Sequence, residues 1–350
     1  MKKNKFDLRA KLLIFSLFFA ALFAANPQTA LAGGPAGGKF SAKDMIMHHV
    51  MDEYEWHIAT TGDGNHITIP LPVILWTDQG LDVFSSSEFH HNTDEEGYIT
   101  RPSGAYKVSH GHLVEKSGKS FMDFSLTKNA FSIMLATLLL MVIFLSVAGA
   151  YKKRPGQAPK GLQAVIEPIF EFIRDDVVIP NIGEKKYRTY LPFIMALFFF
   201  IWFNNLLGLI PTGANASGNI AFTLTLAVFT LIITNISGNK HYWGHIFWTP
   251  GVPLPLRIIM LPVEVLGIFT KPFALMIRLF ANITAGHIII LSLISFIFIF
   301  KNAALGLPVG AVVIAMTFLE LFVAALQAYI FALLSALFIG LAVEEHDDHH

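Results

Sequence analysis

Apolar and polar positions divide this chain into unlike halves. From about Gly33 to Lys128 the apolar runs are short and alternate with polar residues; beyond that come long, almost unbroken apolar runs. In the first half, "HITIPLPVILW", "LDVFSS" and "YKVSHGHLVE" have the alternation and flanking turn residues of short strands. "DMIMHHVMDEYEWHI" reads as a short amphipathic helix. In the second half, apolar segments run over about Phe131–Tyr151, Tyr190–Ile210, Asn219–Ile236, Leu256–Phe300 and Val309–Val343. The first three are near the ~20 residues that cross a bilayer. The last two are too long. As single helices they measure roughly 67 and 50 Å at 1.5 Å per residue, against a hydrocarbon core of about 30 Å. Ordinary tilt of ~20° does not absorb that excess, so these helices are steeply inclined or broken, with Pro262 and Pro272 as kink candidates. The pattern predicts an all-α polytopic membrane protein of about five transmembrane helices. The last two form a tilted hairpin turning at "KNAALGLP", and a small β-containing extracytoplasmic domain precedes the spans.

The first residues have a different logic. Lys2, Lys3, Lys5, Arg9 and Lys11 precede "LLIFSLFFAALFA", which is too short to span, and Ala30-Leu31-Ala32 fits a small-x-small cleavage rule. Residues 1–32 therefore read as a signal peptide, with an uncleaved anchor helix as the alternative. Residues 33–128 are then an extracytoplasmic, periplasmic domain and 129–350 the membrane domain. Loop charges agree. Lys152, Lys153, Arg154, Lys160, Arg174, Lys185, Lys186 and Arg188 all fall between the first two spans, whereas "PTGANASG" between the second and third has none. The positive-inside rule puts the basic loop in the cytoplasm, the N-terminus outside and the C-terminus inside.

Composition narrows the chemistry. Hydrophobic residues make up 54% of the 350 and charged ones 14%, with formal net charge zero and no cysteine. That balance suggests no nucleic-acid partner, and there is no thiolate or disulfide chemistry. Phosphate-binding glycine loops, the Gly-x-Ser-x-Gly elbow and His-Glu-x-x-His are absent. No cofactor is expected. His48, His49, His90, His91, His110 and His112 are metal-ligand types, but their spacing matches no standard site, so no metal is expected either.

The polar residues inside the long apolar runs carry the function. On a helical wheel with Arg278 at zero, Lys271 falls near +20°, and Glu264 and Asn282 near +40°; Ala274, Ala281 and Ala285 lie on the same side. This polar stripe has small neighbours that admit another helix closely. His287 falls at about 180°, on the opposite face. In the last segment Glu320 and Gln327 share a face. Reflection about a turn near Ala304 brings His287 level with Glu320, and Arg278 near Gln327. Glu264 lies toward the inner side. A His–Glu pair of this kind suits proton relay. Each has a bland reading as well: core hydrogen bonding for His287, interhelical glue for Gln327, snorkelling for Glu264 and Lys271. Arg278 has none, because its guanidinium stays charged and no carboxylate of this chain is level with it. Its partner is expected on another subunit, as a carboxylate.

These strings resemble a known family. "KPFALMIRLFANITAGH" and "ELFVAALQAYIFALLSALFIGLAVEEH" are similar to the signature and last helix of subunit a of the rotary F-type ATP synthase. "IMHHVMD" and "NNLLGLIP" resemble further family motifs, as do Asn219 and Thr223. The resemblance covers about Lys43–Asp52 and Ala130–His346. It implies a non-catalytic stator subunit of a bacterial inner membrane, working against a ring of c subunits and held by b subunits of the peripheral stalk. It also implies a role for each polar position. Arg278 faces the rotor carboxylate and blocks proton leak. His287 and Glu320 line the outer half-channel. Gln327 and Asn282 support the arginine, and Glu264 belongs to the inner half-channel. The outer domain and the "DDHH" tail exceed the family pattern. A stand-alone secondary transporter is the rival class; it predicts an inverted repeat, which this sequence lacks. A purely structural anchor would not place Arg, His and Glu within the bilayer.

Overall fold

The computed structural model describes residues 51–60, 66–91, 93–94, 96–109, 111–210, 213–248, 253–300 and 306–344. The expected signal segment with its expected cleavage site, His48, His49, His110 and the closing Glu345 and His346 lie outside the described residues, as do the side chains of His90 and His91. The chain divides into two compact units, residues 1–128 with 210–214, and residues 129–209 with 215–350.

The described residues of the first unit form short antiparallel strands and one four-residue helix, α1 (Glu88–His91). β1 (Glu55–Thr60) pairs with β2 (His66–Pro70). β3 (Pro72–Thr77) lies between β4 (Gly80–Ser85) and β8 (Met122–Asp123). β6 (Gly104–Ser109) lies between β5 (Ile99–Arg101) and β7 (His112–Glu115). Alternation explains the burial: Val73 and Leu75 of β3 point inward while Trp76 is exposed. Phe84, Ile99, Tyr106 and Leu113 complete the core. Arg101 ties the sheets together, bonding Asp82 at 2.8 Å and Glu88 at 3.1 Å, with its guanidinium 4.8 Å from the centroid of the Phe84 ring. The helix expected over "DMIMHHVMDEYEWHI" is not what its described part forms. Glu55–Thr60 is a strand, because its backbone groups are satisfied across the ladder to β2.

The second unit is helical and multi-pass. α2 (Lys128–Lys153) starts one residue outside it and ends on two lysines, which suit the negative end of the helix dipole. α3 (Leu162–Phe172), a π-helical segment (Ile173–Val178) and α4 (Ile179–Ile182) lead to α5 (Tyr187–Gly208). A 3-10 turn capped by Asn215 precedes α6 (Ile220–Ile236), whose first turn is capped by Asn219. α6 then bends by 103° into the short α7 (Lys240–Phe247). α8 (Leu254–Phe300) and α9 (Gly306–Val343) are the long pair. Among the described residues four helices are long and apolar enough to cross a membrane, and the α6–α7 pair makes up to five.

α8 is one continuous helix of 47 residues through both Pro262 and Pro272. Of the two options for over-long helices, an unbroken helix is the one present. The orphan carbonyls at the end of α9 are tied down. Lys186 Nζ and Asn239 Nδ2 both donate to Val343 O, each at 2.9 Å, and Asn239 N donates to Ala342 O at 2.9 Å. Gly340 lets α4 lie directly on α9, since a Cβ there would sit 2.9 Å from the carbonyl carbon of Asn181.

One titration in the first unit gives a test. Burial raises Glu53 from its ordinary 4.5 to about 7, against the opposing pull of Lys128. A carboxyl whose folded pKa is raised binds more protons folded than unfolded between those values. Its contribution is full below pH 4.5 and is lost as pH rises through about 7. Glu53→Gln should flatten the fall in thermal stability of this unit across that window; an unchanged slope would show that other groups set it.

Candidate functional site

The geometry of the site follows from the register of α8 against α9. His287 meets Glu320, and Lys271 lies with its ammonium 5.7 Å from the centroid of the Phe338 ring. The sequence numbers run in opposite directions, so the helices are antiparallel, and interpolation brings Arg278 level with Ile330. The reflected register expected from sequence is the one observed.

The His287 ring is held at both nitrogens. Nδ1 lies 3.1 Å from Glu320 Oε1, and Nε2 lies 3.0 Å from the Gly208 carbonyl oxygen. Glu320 is buried, with 5% of its surface exposed. Two glycines make this possible. Gly208 is the last residue of α5, so its carbonyl lies beyond the helix ladder and accepts from the ring. Gly286 clears the space for Glu320: a Cβ there would come 3.0 Å from the carboxyl carbon.

Next to the pair lies a buried amide. Asn205 Nδ2 donates to Ala324 O at 3.2 Å, and its Oδ1 accepts from Ser217 Oγ at 2.5 Å. Asn204 Oδ1 and Thr284 Oγ1 are buried without a protein partner. Sequence reasoning missed Gly208, Asn205 and Ser217 as parts of the site. The available signal was "NNLLGLIP", in which a helix ends on polar residues and a glycine inside the apolar zone.

Arg278 is elsewhere. It is exposed on the single chain, along a stripe with exposed Ala274, Ala281, Asn282 and Ala285, while Leu275, Leu279 and Ile283 of the same helix are buried. Among the described residues, no carboxylate or hydrogen-bond acceptor holds it. Gln327, by contrast, is buried at 4% exposure on α9. Asn282 and Gln327 therefore differ in setting, one on the open stripe and one in the packed interior. Glu264 is half-buried and within electrostatic reach of Tyr242 on α7. It is separated from His287 by roughly 34 Å of helix. Near that end, an open cleft of about 330 Å³ is lined by Thr230, Thr234, Asn235, Tyr242, Lys271 and Phe338. The site residues thus separate along the hairpin: a buried His287–Glu320 pair, an exposed stripe carrying Arg278 and Asn282, a packed Gln327, and Glu264 toward the far end of α8. Among the described residues no group of three His, Asp or Glu has the placement to hold a metal.

These features define a multi-pass membrane protein whose ionisable groups are carried by two over-length helices. The family follows from comparison. The family model described as ATP synthase A chain matches residues 130–340, and the chain belongs to that family. Residues 45–132 match a domain of unknown function. The chain is 50% identical over 268 residues to ATP synthase subunit a 2 of Chlorobaculum tepidum, covering 74% of this chain and 73% of that protein. It is 44% identical over 264 residues to ATP synthase subunit a of Chloroherpeton thalassium, covering 74% and 77% respectively. To ATP synthase subunit a of an Anaeromyxobacter species it is 37% identical over 341 residues, covering 92% and 76%.

The Asn205 network predicts its own cost. Asn205→Leu strands the buried Ser217 hydroxyl, a loss of about 1–3 kcal/mol. Unfolding in detergent should show a lowered midpoint, and an unchanged midpoint would mean that Ser217 finds another partner.

Proposed function

We propose that this chain is the stator proton-channel subunit of the F-type ATP synthase, providing two offset half-channels on either side of Arg278. It is a component of the ATP synthase by family membership. The observation that carries the finer reading is the unpaired, exposed Arg278 on a stripe of small residues. A charge at bilayer depth is costly enough to need a partner. A helix carrying a carboxylate and packed against the alanines supplies one.

In this reading the partner is the carboxylate of a c-subunit ring. Protons enter from outside through polar groups near His287 and Glu320 and neutralise that carboxylate, which then rotates into lipid. After nearly a full turn it releases its proton into the inner path, at the cleft near Glu264. Asn282 and Gln327 shape the surroundings of the arginine. Attraction at ~4 Å is worth ~4 kcal/mol at an effective dielectric near 20. That holds the ionised carboxylate and still permits release once a proton arrives. The driving term is about 2.3 kcal/mol per charge per 100 mV. The basic loop after α2 supports a cytoplasmic C-terminus and an external N-terminus, with residues 1–32 as a signal peptide and 33–128 as a periplasmic domain. The b subunits of the peripheral stalk would hold the chain against rotor torque in the inner membrane.

Arg278→Ala in membrane vesicles should abolish ATP-driven proton pumping while the complex still assembles with its ring. Coupled pumping at the native rate would contradict the proposal.

A further inference from the structure

The bonding of His287 constrains how a proton can pass. A carbonyl oxygen only accepts, so the 3.0 Å contact from Nε2 to Gly208 O requires a hydrogen on Nε2. Nδ1 then faces Glu320 Oε1 at 3.1 Å with one proton between them in either charge arrangement. Either Oε1–H donates to a neutral ring, or an imidazolium Nδ1–H donates to the carboxylate. A link without that proton would set the Nδ1 lone pair against a carboxylate oxygen. A proton on Nε2 has nowhere to go, because an amide carbonyl at the end of a helix does not relay it. Glu320 Oε2, in contrast, is tied to no described residue and is not fully enclosed.

We propose that Glu320 alone is the transit group of this site, and that Gly208 and Gly286 are positioning residues that make His287 a fixed partner holding one resident proton. The inference rests on the reading of the pair as part of the outer path. The balance is simple. The resting pair holds one shared proton. An arriving proton bonds to Oε2 while the resident one sits on Nδ1, giving a pair with two protons and an imidazolium. Loss of the Oε2 proton restores the resting pair. No proton crosses the ring from Nδ1 to Nε2. Gly208 acts by its carbonyl, which fixes the tautomer. Gly286 acts by leaving room for the Glu320 carboxyl group against the helix. Glu320 is the titratable group against the ring; Gly208 and Ile283 present only backbone carbonyls to it.

The test uses the whole complex in membrane vesicles, comparing His287→Gln with Glu320→Gln, each checked for assembly by its ATPase activity. Glutamine at 287 keeps an N–H donor but cannot pass a proton between two ring nitrogens. The proposal predicts that pumping survives His287→Gln within a few-fold and falls by about a hundredfold in Glu320→Gln, the scale of losing a positioned proton-transfer group. Equal collapse of both would overturn the transit assignment and leave the outer-path reading standing. Native pumping in both would remove the outer-path reading itself. A second measurement does not depend on the tolerance of position 287. In complex labelled with ¹⁵N-histidine, the His287 Nε2 signal, assigned by its absence in His287→Gln or by selective labelling, should stay protonated from pH 5 to 9, on either side of the ordinary histidine value of about 6.5. Deprotonated Nε2 anywhere in that range would overturn the proposal. Gly286→Ala, whose new methyl would meet the Glu320 side chain, should lose pumping with the complex still assembled; pumping at the native rate would overturn the role given to Gly286.

Discussion

The antiparallel register of α8 on α9 is the constraint on which the rest depends. It is fixed at one level by the missing side chain of Gly286, which leaves space for the Glu320 carboxyl, and at another by Lys271 lying over the Phe338 ring. A slip of one residue would rotate His287 by about 100° away from its partner and leave a buried carboxyl facing hydrocarbon. Unmatched buried polar groups of that kind cost several kcal/mol in a lipid setting. The His287–Glu320 geometry and the stability of the hairpin are therefore one property.

The surroundings of the hairpin hold that register from the sides. α5 contributes its C-terminal end, where the free Gly208 carbonyl takes the imidazole and Asn205 reaches the backbone of α9. Lys186 and Asn239 bind the last carbonyls of α9. The packed interior of Leu275, Leu279, Phe331 and Ile339 fills the space between. Among the described residues this leaves one face of α8 without a counterpart, and that face carries Arg278. Leu275, Leu279 and Ile283 of the same helix are buried, while Ile277 and Ile288 beside the stripe are exposed like it.

Much of this was legible in sequence because membrane helices announce themselves by length. The expected spans fall within a few residues of α2, α5, α6, α8 and α9. The His287–Glu320 contact came from helical periodicity and reflection alone, since a hairpin of two straight helices has little freedom in register. What escaped was whatever depended on backbone groups or tertiary pairing. The Gly208 carbonyl carries no side-chain signal. The α7 helix, with Trp243 stacked on Phe247, is too short to stand out in hydropathy. β1 looked helical because its ladder partner, β2, begins only several residues later. For Arg278 the sequence identified the lack of a partner, and the fold supplied the exposed face.

The central claim is that the partner of Arg278 is a carboxylate on a neighbouring rotor subunit. The chain has no cysteine, so Ala281→Cys, just under one turn from Arg278 on the same stripe, introduces a single thiol in the subunit. Cross-linking from that thiol in intact membranes to cysteines placed next to the carboxylate of the ring subunit measures the contact directly. The account predicts a cross-linked product with the ring subunit that forms in the assembled complex and traps rotation. Absence of that product, with the thiol reacting only with lipid-soluble reagents, would contradict it.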